Sequence, residues 1–260
     1  MGEGQGALQP TPSMMPKRRA AIPAASMPPA RSSFQVASQI PQRGWQDAYV
    51  WPDTGVLLGL GTQEELPTRF RERYGNRVRV AEGVVREVRS HSDMRSGTDA
   101  SPDDHTRVMA ARLVYRKLLL DDASLPVVSL KHDDLLMLDQ VAERLRALSA
   151  DPLKKHGGEA QIIVLAVRQM ARDGRPHILL TNDGGASVVA SNYGLPSRHL
   201  GDILAELSCS DRTVKSTDWF AQFQISLNVS APPFHSRQRN SDAFECQQSG
   251  DGCGACDGLG

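Results

Sequence analysis

The sequence predicts an α/β fold, a three-layer α/β/α sandwich around a mainly parallel sheet with a helical insert near its middle. Three observations point there. Short apolar runs alternate with longer stretches of helical periodicity, and polar turns containing Asp, Thr, Asn and Gly stand where two of those runs end. The segment 45–230 also lies between two stretches of tail-like composition, which leaves 186 residues, enough for one well-buried core.

The elements follow in order. Tyr49-Val50-Trp51 reads as a strand running into the polar turn Pro52-Asp53-Thr54-Gly55, after which Val56, Leu57, Leu58 and Leu60 open an apolar helix. Residues 64–74 form a charged amphipathic helix stopped by Gly75-Asn76. Val78-Arg79-Val80 alternates as a strand does, and 82–89 is a helix with Val84, Val85 and Val88 on one side. The Ser, Asp, Gly and Thr of 91–104 predict a loop.

Two helices are then expected to pair as a hairpin, an insert of about 103–150: one carries Val108, Ala111, Tyr115 and Leu118, the other Leu135, Leu138, Val141, Leu145 and Leu148. Leu125-Pro126-Val127-Val128 is a brief extended piece between them. Residues 159–172 are apolar on most sides and predict a helix buried at the centre. His177-Ile178-Leu179-Leu180 is a strand, Thr181-Asn182-Asp183-Gly184-Gly185 a turn, and 186–192 a helix. A short extended piece after Gly194-Leu195-Pro196 leads to a last helix over 200–207.

Composition narrows the function classes. The tail 1–44 holds seven of the 16 prolines and little periodic apolar content, so it is expected to be disordered, as is 231–260 with its glycine-rich end. Met14, Met15 and Met27 are alternative starts. No run approaches the roughly 18 apolar residues of a membrane helix. Lys17, Arg18 and Arg19 are not followed by an apolar segment of the kind a secretory signal has, and no lipidation motif stands at either end, so a cytoplasmic location is expected. Four cysteines in 260 residues are no disulfide framework. Cys209 is alone; Cys246, Cys253 and Cys256, with His235 nearby, contain donors that suit zinc, but their spacing matches no common finger and an unanchored tail is the simpler reading.

The candidate chemistry lies in four carboxylates. Asp53 and Asp183 follow the ends of two expected strands, each beside a hydroxyl residue, Thr54 and Thr181, and in an open parallel sheet such ends share one edge. Glu159 opens the buried helix and Glu87 sits on the helix after the second strand. Carboxylates brought so close raise one another's pKa unless a cation neutralises them, and an all-oxygen set suits Mg²⁺ or Mn²⁺. Taken singly, each acid has a plainer account: Asp53 and Asp183 as helix caps, Glu159 as a complement to the helix dipole, Glu87 as a solvated surface group.

Taken in order, these residues resemble a known family, the PIN-domain ribonucleases, and within it the branch with a Gly-Glu-Ala helix before the last active-site strand. The resemblance rests on Asp53-Thr54-Gly55-Val56-Leu57-Leu58, on 79–88 with Glu82 and Glu87, on Gly158-Glu159-Ala160-Gln161-Ile162-Ile163, and on Leu179-Leu180-Thr181-Asn182-Asp183. It covers about 49–207 except 91–156. It implies a metal-dependent nuclease acting on RNA, with Asp53, Glu87, Glu159 and Asp183 as the acidic quartet, Asp53, Glu159 and Asp183 as the metal ligands, and Thr54, Thr181 and Asn182 near the substrate. Glu82 is the alternative to Glu87. Gly55 stands where many members have asparagine, and the middle section exceeds that of compact members. Members include toxins held by antitoxin partners and inactive relatives, so an antitoxin-like inhibitor, a homodimer, and a non-catalytic module binding RNA or protein are all within the family's range.

Two further features bear on the reading. Seven arginines against three acids lie within 69–89 of a chain with 30 basic and 30 acidic residues, a candidate RNA-contacting face as much as a solvated helix surface. Gly59-Leu60-Gly61 follows a strand, but Glu64 occupies the place of the third glycine of a dinucleotide fingerprint, which excludes that site.

Overall fold

The computed structural model of the chain describes residues 48–94, 102–120, 124–149, 156–208 and 216–227. The two expected tails, all four cysteines, His235 and the centre of the 91–104 loop lie outside the described residues. The elements are β1 (Tyr49–Pro52), α1 (Thr54–Leu60), α2 (Leu66–Tyr74), β2 (Val80–Ala81), α3 (Glu82–Asp93), α4 (Pro102–Val114), β3 (Val127–Val128), α5 (Leu135–Leu148), α6 (Gly157–Asp173), β4 (His177–Leu180), α7 (Gly184–Asn192), β5 (Ser197–Arg198), α8 (Leu200–Ser208) and α9 (Ser216–Leu227). The fold is helix-rich α/β around a small parallel sheet.

Among the described residues every strand pairing is parallel: β1 with β4, from Tyr49 opposite His177 to Pro52 opposite Leu180, β4 with β5, and β2 with β3. A parallel bridge between Val50 and Val78, with the Arg79 N–H donating to the Val50 carbonyl at 2.9 Å, sets β2 beside β1. The spatial order is therefore β3-β2-β1-β4-β5. From β1 the chain steps outward through β2 and β3, then returns to build β4 and β5 on the other side. The carboxyl ends of β1 and β4 thus flank the point where an open parallel sheet leaves a crevice.

What holds these short strands is the packing around them. Trp51, Leu179, Leu180, Ile162 and Ile163 have no exposed surface, and α6 presents Ala160, Val164 and Ala166 to the same core. The α6 helix stops at Gly174, whose φ of 64° lets its N–H reach the Met170 carbonyl, the left-handed cap that glycine adopts without strain. Between β1 and β4 the Trp51 indole N–H donates to His177 Nδ1 at 2.9 Å, and His177 Nε2 stands 3.4 Å from the Asp173 carboxylate. Burial lowers the His177 pKa despite Asp173, and Nδ1, accepting from Trp51, leaves Nε2 as the nitrogen that carries the ring proton.

Two expectations differ from the structure. The helices α4 and α5 do not pair as a hairpin: α4 packs on α3, α1 and α9, and α5 on α6 and α7. The cause is β3, since parallel pairing with β2 requires a crossover rather than a turn back. The 91–104 stretch is also more helical than expected, α3 reaching Asp93 and α4 beginning at Pro102. The helix α9 was not anticipated. It buries Trp219, Phe223 and Leu227, spaced four residues apart on one face, and packs on α8 and α4.

The glycines of Gly59-Leu60-Gly61 serve this packing. A Cβ on Gly59 would fall 2.4 Å from a Leu200 methyl and 3.1 Å from the Phe223 ring, and one on Gly61 would fall 2.2 Å from the Ala110 carbonyl oxygen. Backbone cannot yield as a side chain can, so Gly61→Ala is expected to destabilise the protein by about 1–3 kcal/mol through overpacking of α1 against α4. Urea unfolding measures this, and an unchanged midpoint would remove the assignment. Among the described residues no helix is long and apolar enough to cross a membrane.

Candidate functional site

Asp53 is the first residue beyond β1. Its N–H extends the ladder to the Leu180 carbonyl at 2.9 Å, and its Oδ1 accepts the Val56 N–H at 2.6 Å, capping α1. The residue is 5% exposed. Burial raises its pKa to about 7; hydrogen bonds from the Thr181 side chain and the Val56 N–H pull downward, and the charges of Glu159 and Asp183 push further up. Two of the three acids expected to converge with Asp53, Glu159 and Asp183, are thus close enough to act on its charge, while Glu87 is not among the groups that shift it.

Asp183 lies three residues beyond β4 and caps α7, its Oδ1 accepting the N–H groups of Gly185 at 2.8 Å and Ala186 at 3.0 Å. Both aspartates are therefore caps, as the plainer reading has it, yet capping uses one carboxylate oxygen of each. Thr181 is buried between them: its side chain bonds Asp53, and its Oγ1 accepts the Asp183 N–H at 3.0 Å. The Asn182 Oδ1 accepts the Leu200 N–H at 3.0 Å and ties the loop to the start of α8. Thr54 donates its hydroxyl to Glu87. Each of the three residues expected near the substrate thus also fixes a neighbour.

The Gly158-Glu159-Ala160-Gln161 motif resolves into four placements. The Gly158 N–H donates to Glu87 Oε1 at 3.1 Å, and a Cβ there would lie 3.0 Å from both Glu87 carboxylate oxygens. Half-buried Glu159, in the first turn of α6, faces Asp183. Ala160 has no exposed surface. The Gln161 Oε1 accepts the Gly83 N–H at 2.9 Å, fastening the start of α3 to α6, and a side chain at residue 83 would strike the Gln161 amide. Further along α3, Glu87 is half-buried and held by Thr54 and the Gly158 N–H, while Glu82 is exposed.

One member of the cluster escaped sequence reasoning. His156, immediately before α6, is 7% exposed, and a ring nitrogen lies within 4.8 Å of carboxylate oxygens of Glu159 and Asp183. Its spacing, three residues before Glu159 and so one helical turn away, was visible. Set among Lys154, Lys155, Gly157 and Gly158, the histidine carries no motif of its own.

The arginine-rich stretch does not form one face over this cluster. Arg69 lies over Trp219, Arg77 over Tyr74 and Arg79 over Tyr49, while Arg79 also donates to the carbonyls of Asn76 and Val78. Tyr49 begins β1 and Asp53 follows its end, so Arg79 and Arg175, both against Tyr49, lie at the opposite edge, roughly 13 Å of strand away. Arg86 and Arg89 are the exposed members, and Arg89 lies 3.7 Å from Asp93.

Glu159 at the start of α6 and Asp183 at the cap of α7 could share a hard divalent cation, with Asp53 near enough to feel their charges; Asp53 and Glu87, the latter oriented by two donors, lie outside the group of donor atoms within 4.8 Å. No protein-family model, curated protein or solved structure matches this chain.

Proposed function

We propose that the chain is a divalent-metal-dependent endoribonuclease of PIN-like architecture, a three-layer α/β/α sandwich acting on RNA in the cytoplasm. The observation that carries this reading is the gathering of acids at the switch point of the sheet: carboxylate oxygens of Glu159 and Asp183 lie within 4.8 Å of each other, and their charges add to the burial that raises the Asp53 pKa to about 7. A structural cap has no need of two further acids around it. The donor set suits Mg²⁺ or Mn²⁺, which Asp53, Glu159 and Asp183 would hold.

The cation supplies Lewis acidity for phosphodiester hydrolysis. The chain's own residues do the positioning. Thr181 and the Val56 N–H fix Asp53, the α7 amides fix Asp183, and Thr54 with the Gly158 N–H fixes Glu87. In the cleavage step a water oxygen attacks phosphorus, its proton passes to a carboxylate of the cluster, and the departing ribose oxygen is protonated from solvent. An antitoxin-like inhibitor and a homodimer are the partners compatible with this reading.

The test is cleavage of single-stranded and structured RNA by the purified chain with Mn²⁺ or Mg²⁺. Fragments should form, cease with chelator, and fall by about 10²–10³-fold in Asp183→Asn, the scale of removing one preorganised electrostatic contact. Asparagine caps helices as well as aspartate does, so the variant keeps its fold. RNA decay unaffected by chelator or by the substitution sinks the proposal, and RNA binding without turnover would instead favour a non-catalytic PIN-like module.

A further inference from the structure

The oxygen donors of the cluster do not by themselves distinguish Mg²⁺ from a transition ion; a nitrogen donor does. His156 is buried, and neither Nδ1 nor Nε2 has a hydrogen-bond partner among the described residues. A buried imidazole left without partners is unfavourable, because it has given up water and received nothing in return. Its surroundings show what would complete it. One ring nitrogen and carboxylate oxygens of Glu159 and Asp183 all lie within 4.8 Å of one another. Donors sharing one six-coordinate ion at about 2.0–2.2 Å stand roughly 3–4 Å apart, so a small closure brings these three onto a common centre.

Local backbone fixes the residue there. His156 precedes α6 with φ −94° and ψ 36°, and its carbonyl accepts the Ala160 N–H at 3.0 Å, so the first turn of the helix sets both His156 and Glu159. Gly157 and Gly158 add no side chain between them and the cluster, and Gly158 is the position where a Cβ would meet Glu87.

We propose that His156 is a nitrogen ligand of the metal centre, making it a mixed imidazole–carboxylate site that prefers a first-row transition ion such as Mn²⁺ to Mg²⁺. This rests on the metal-centre reading above and narrows its choice of ion. Imidazole suits transition ions, whereas Mg²⁺ favours oxygen donors and retains its waters.

The experiment uses the full chain, stripped with chelator and loaded with Mn²⁺, read by electron spin-echo envelope modulation for ¹⁴N coupling and by competition with Mg²⁺. The wild type should bind one Mn²⁺ at this centre with imidazole nitrogen modulation. His156→Gln should still bind Mn²⁺, lose the modulation, and lose about tenfold or more of its Mn²⁺-over-Mg²⁺ preference. Should that variant not fold, His156→Asn and the wild-type spectrum carry the test. Bound Mn²⁺ without nitrogen modulation, or modulation that persists in the folded variant, overturns the proposal while the carboxylate centre stands. Absence of Mn²⁺ binding overturns both. Nitrogen modulation in a chain that cleaves no RNA supports the ligand assignment and removes only the nuclease.

Discussion

Asp53→Asn is expected to make the metal-free protein more stable at neutral pH while removing the activity proposed for it. The carboxyl has a pKa of about 7 in the folded chain against 3.8 as the reference for an unfolded one. The folded state therefore keeps a proton that the unfolded state has released. This contribution is fully present below about pH 4 and is lost as pH rises through 7; over that interval it amounts to about 4 kcal/mol. Asparagine retains the cap and the acceptor for Thr181 without a charge to bury. With chelator present, urea unfolding at pH 5, 6.5 and 8 should show the variant gaining on the wild type as pH rises. Saturating Mn²⁺ should narrow the gap, since an ion at 100 times its Kd stabilises by about 2.7 kcal/mol. Parallel stability curves across this range would mean that the Asp53 carboxyl is not desolvated as described.

Arg198→Met should be the most damaging single change away from the acidic cluster. Arg198 Nη2 donates to Glu206 Oε1 at 2.7 Å, Tyr74 donates its hydroxyl to the same carboxylate, and all three residues are buried. Burial disfavours the Arg198 charge, but Tyr74 and Glu206 more than offset this and raise its pKa; burial and the Glu206 charge raise that of Tyr74. Removing the guanidinium leaves a carboxylate in the interior without its partner, a loss of about 3–5 kcal/mol. The triple variant Tyr74→Phe, Arg198→Met, Glu206→Leu should recover most of it, because well-packed apolar groups replace buried ion pairs at little cost. The effect should also reach the cluster. The Arg198 carbonyl accepts the Thr181 N–H at 2.9 Å, so loosening β5 loosens the loop that carries Asp183, and Mn²⁺ affinity should fall with stability. Thermal melts and Mn²⁺ titration of the single and triple variants measure both; a single variant within 1 kcal/mol of wild type, on a scale where surface changes stay within about 0.5 kcal/mol, would contradict the account.

Much of the site was legible because it stands where strands end. Asp53 and Asp183 each follow an apolar run and precede small residues, a pattern that places a carboxylate at the sheet edge whatever the tertiary detail. The Gly-Glu-Ala-Gln run was legible as a motif, though only the geometry shows that Gly158 and Gln161 act on Glu87 and Gly83. His156 was hidden because its burial and its nearness to Asp183, 27 positions on, arise only in the folded chain and are not encoded locally. The hairpin expectation failed for a related reason: two residues, Val127 and Val128, are too short a run to reveal that they pair with β2 and divide the helices. The α9 helix went unseen because Phe220, Ala221 and Ile225 stand between Trp219, Phe223 and Leu227 and blur their four-residue spacing. The arginines misled by number, since three of them are spent on aromatic rings rather than held toward solvent.

The hydrogen bond between Trp51 and His177 joins positions 126 apart in the chain, yet these strands are neighbours in the sheet. Closing so long a loop before its contacts repay it is slow. During synthesis Asp53 and then Glu159 emerge before β4 exists to receive them, and Asp183 emerges last of the three. The mutual repulsion of these acids consequently falls on the final docking step rather than on the first. If the proposed centre binds a divalent ion, that ion would act on this last step, and a growing chain would have no assembled cluster until Asp183 and the helix after it had left the ribosome.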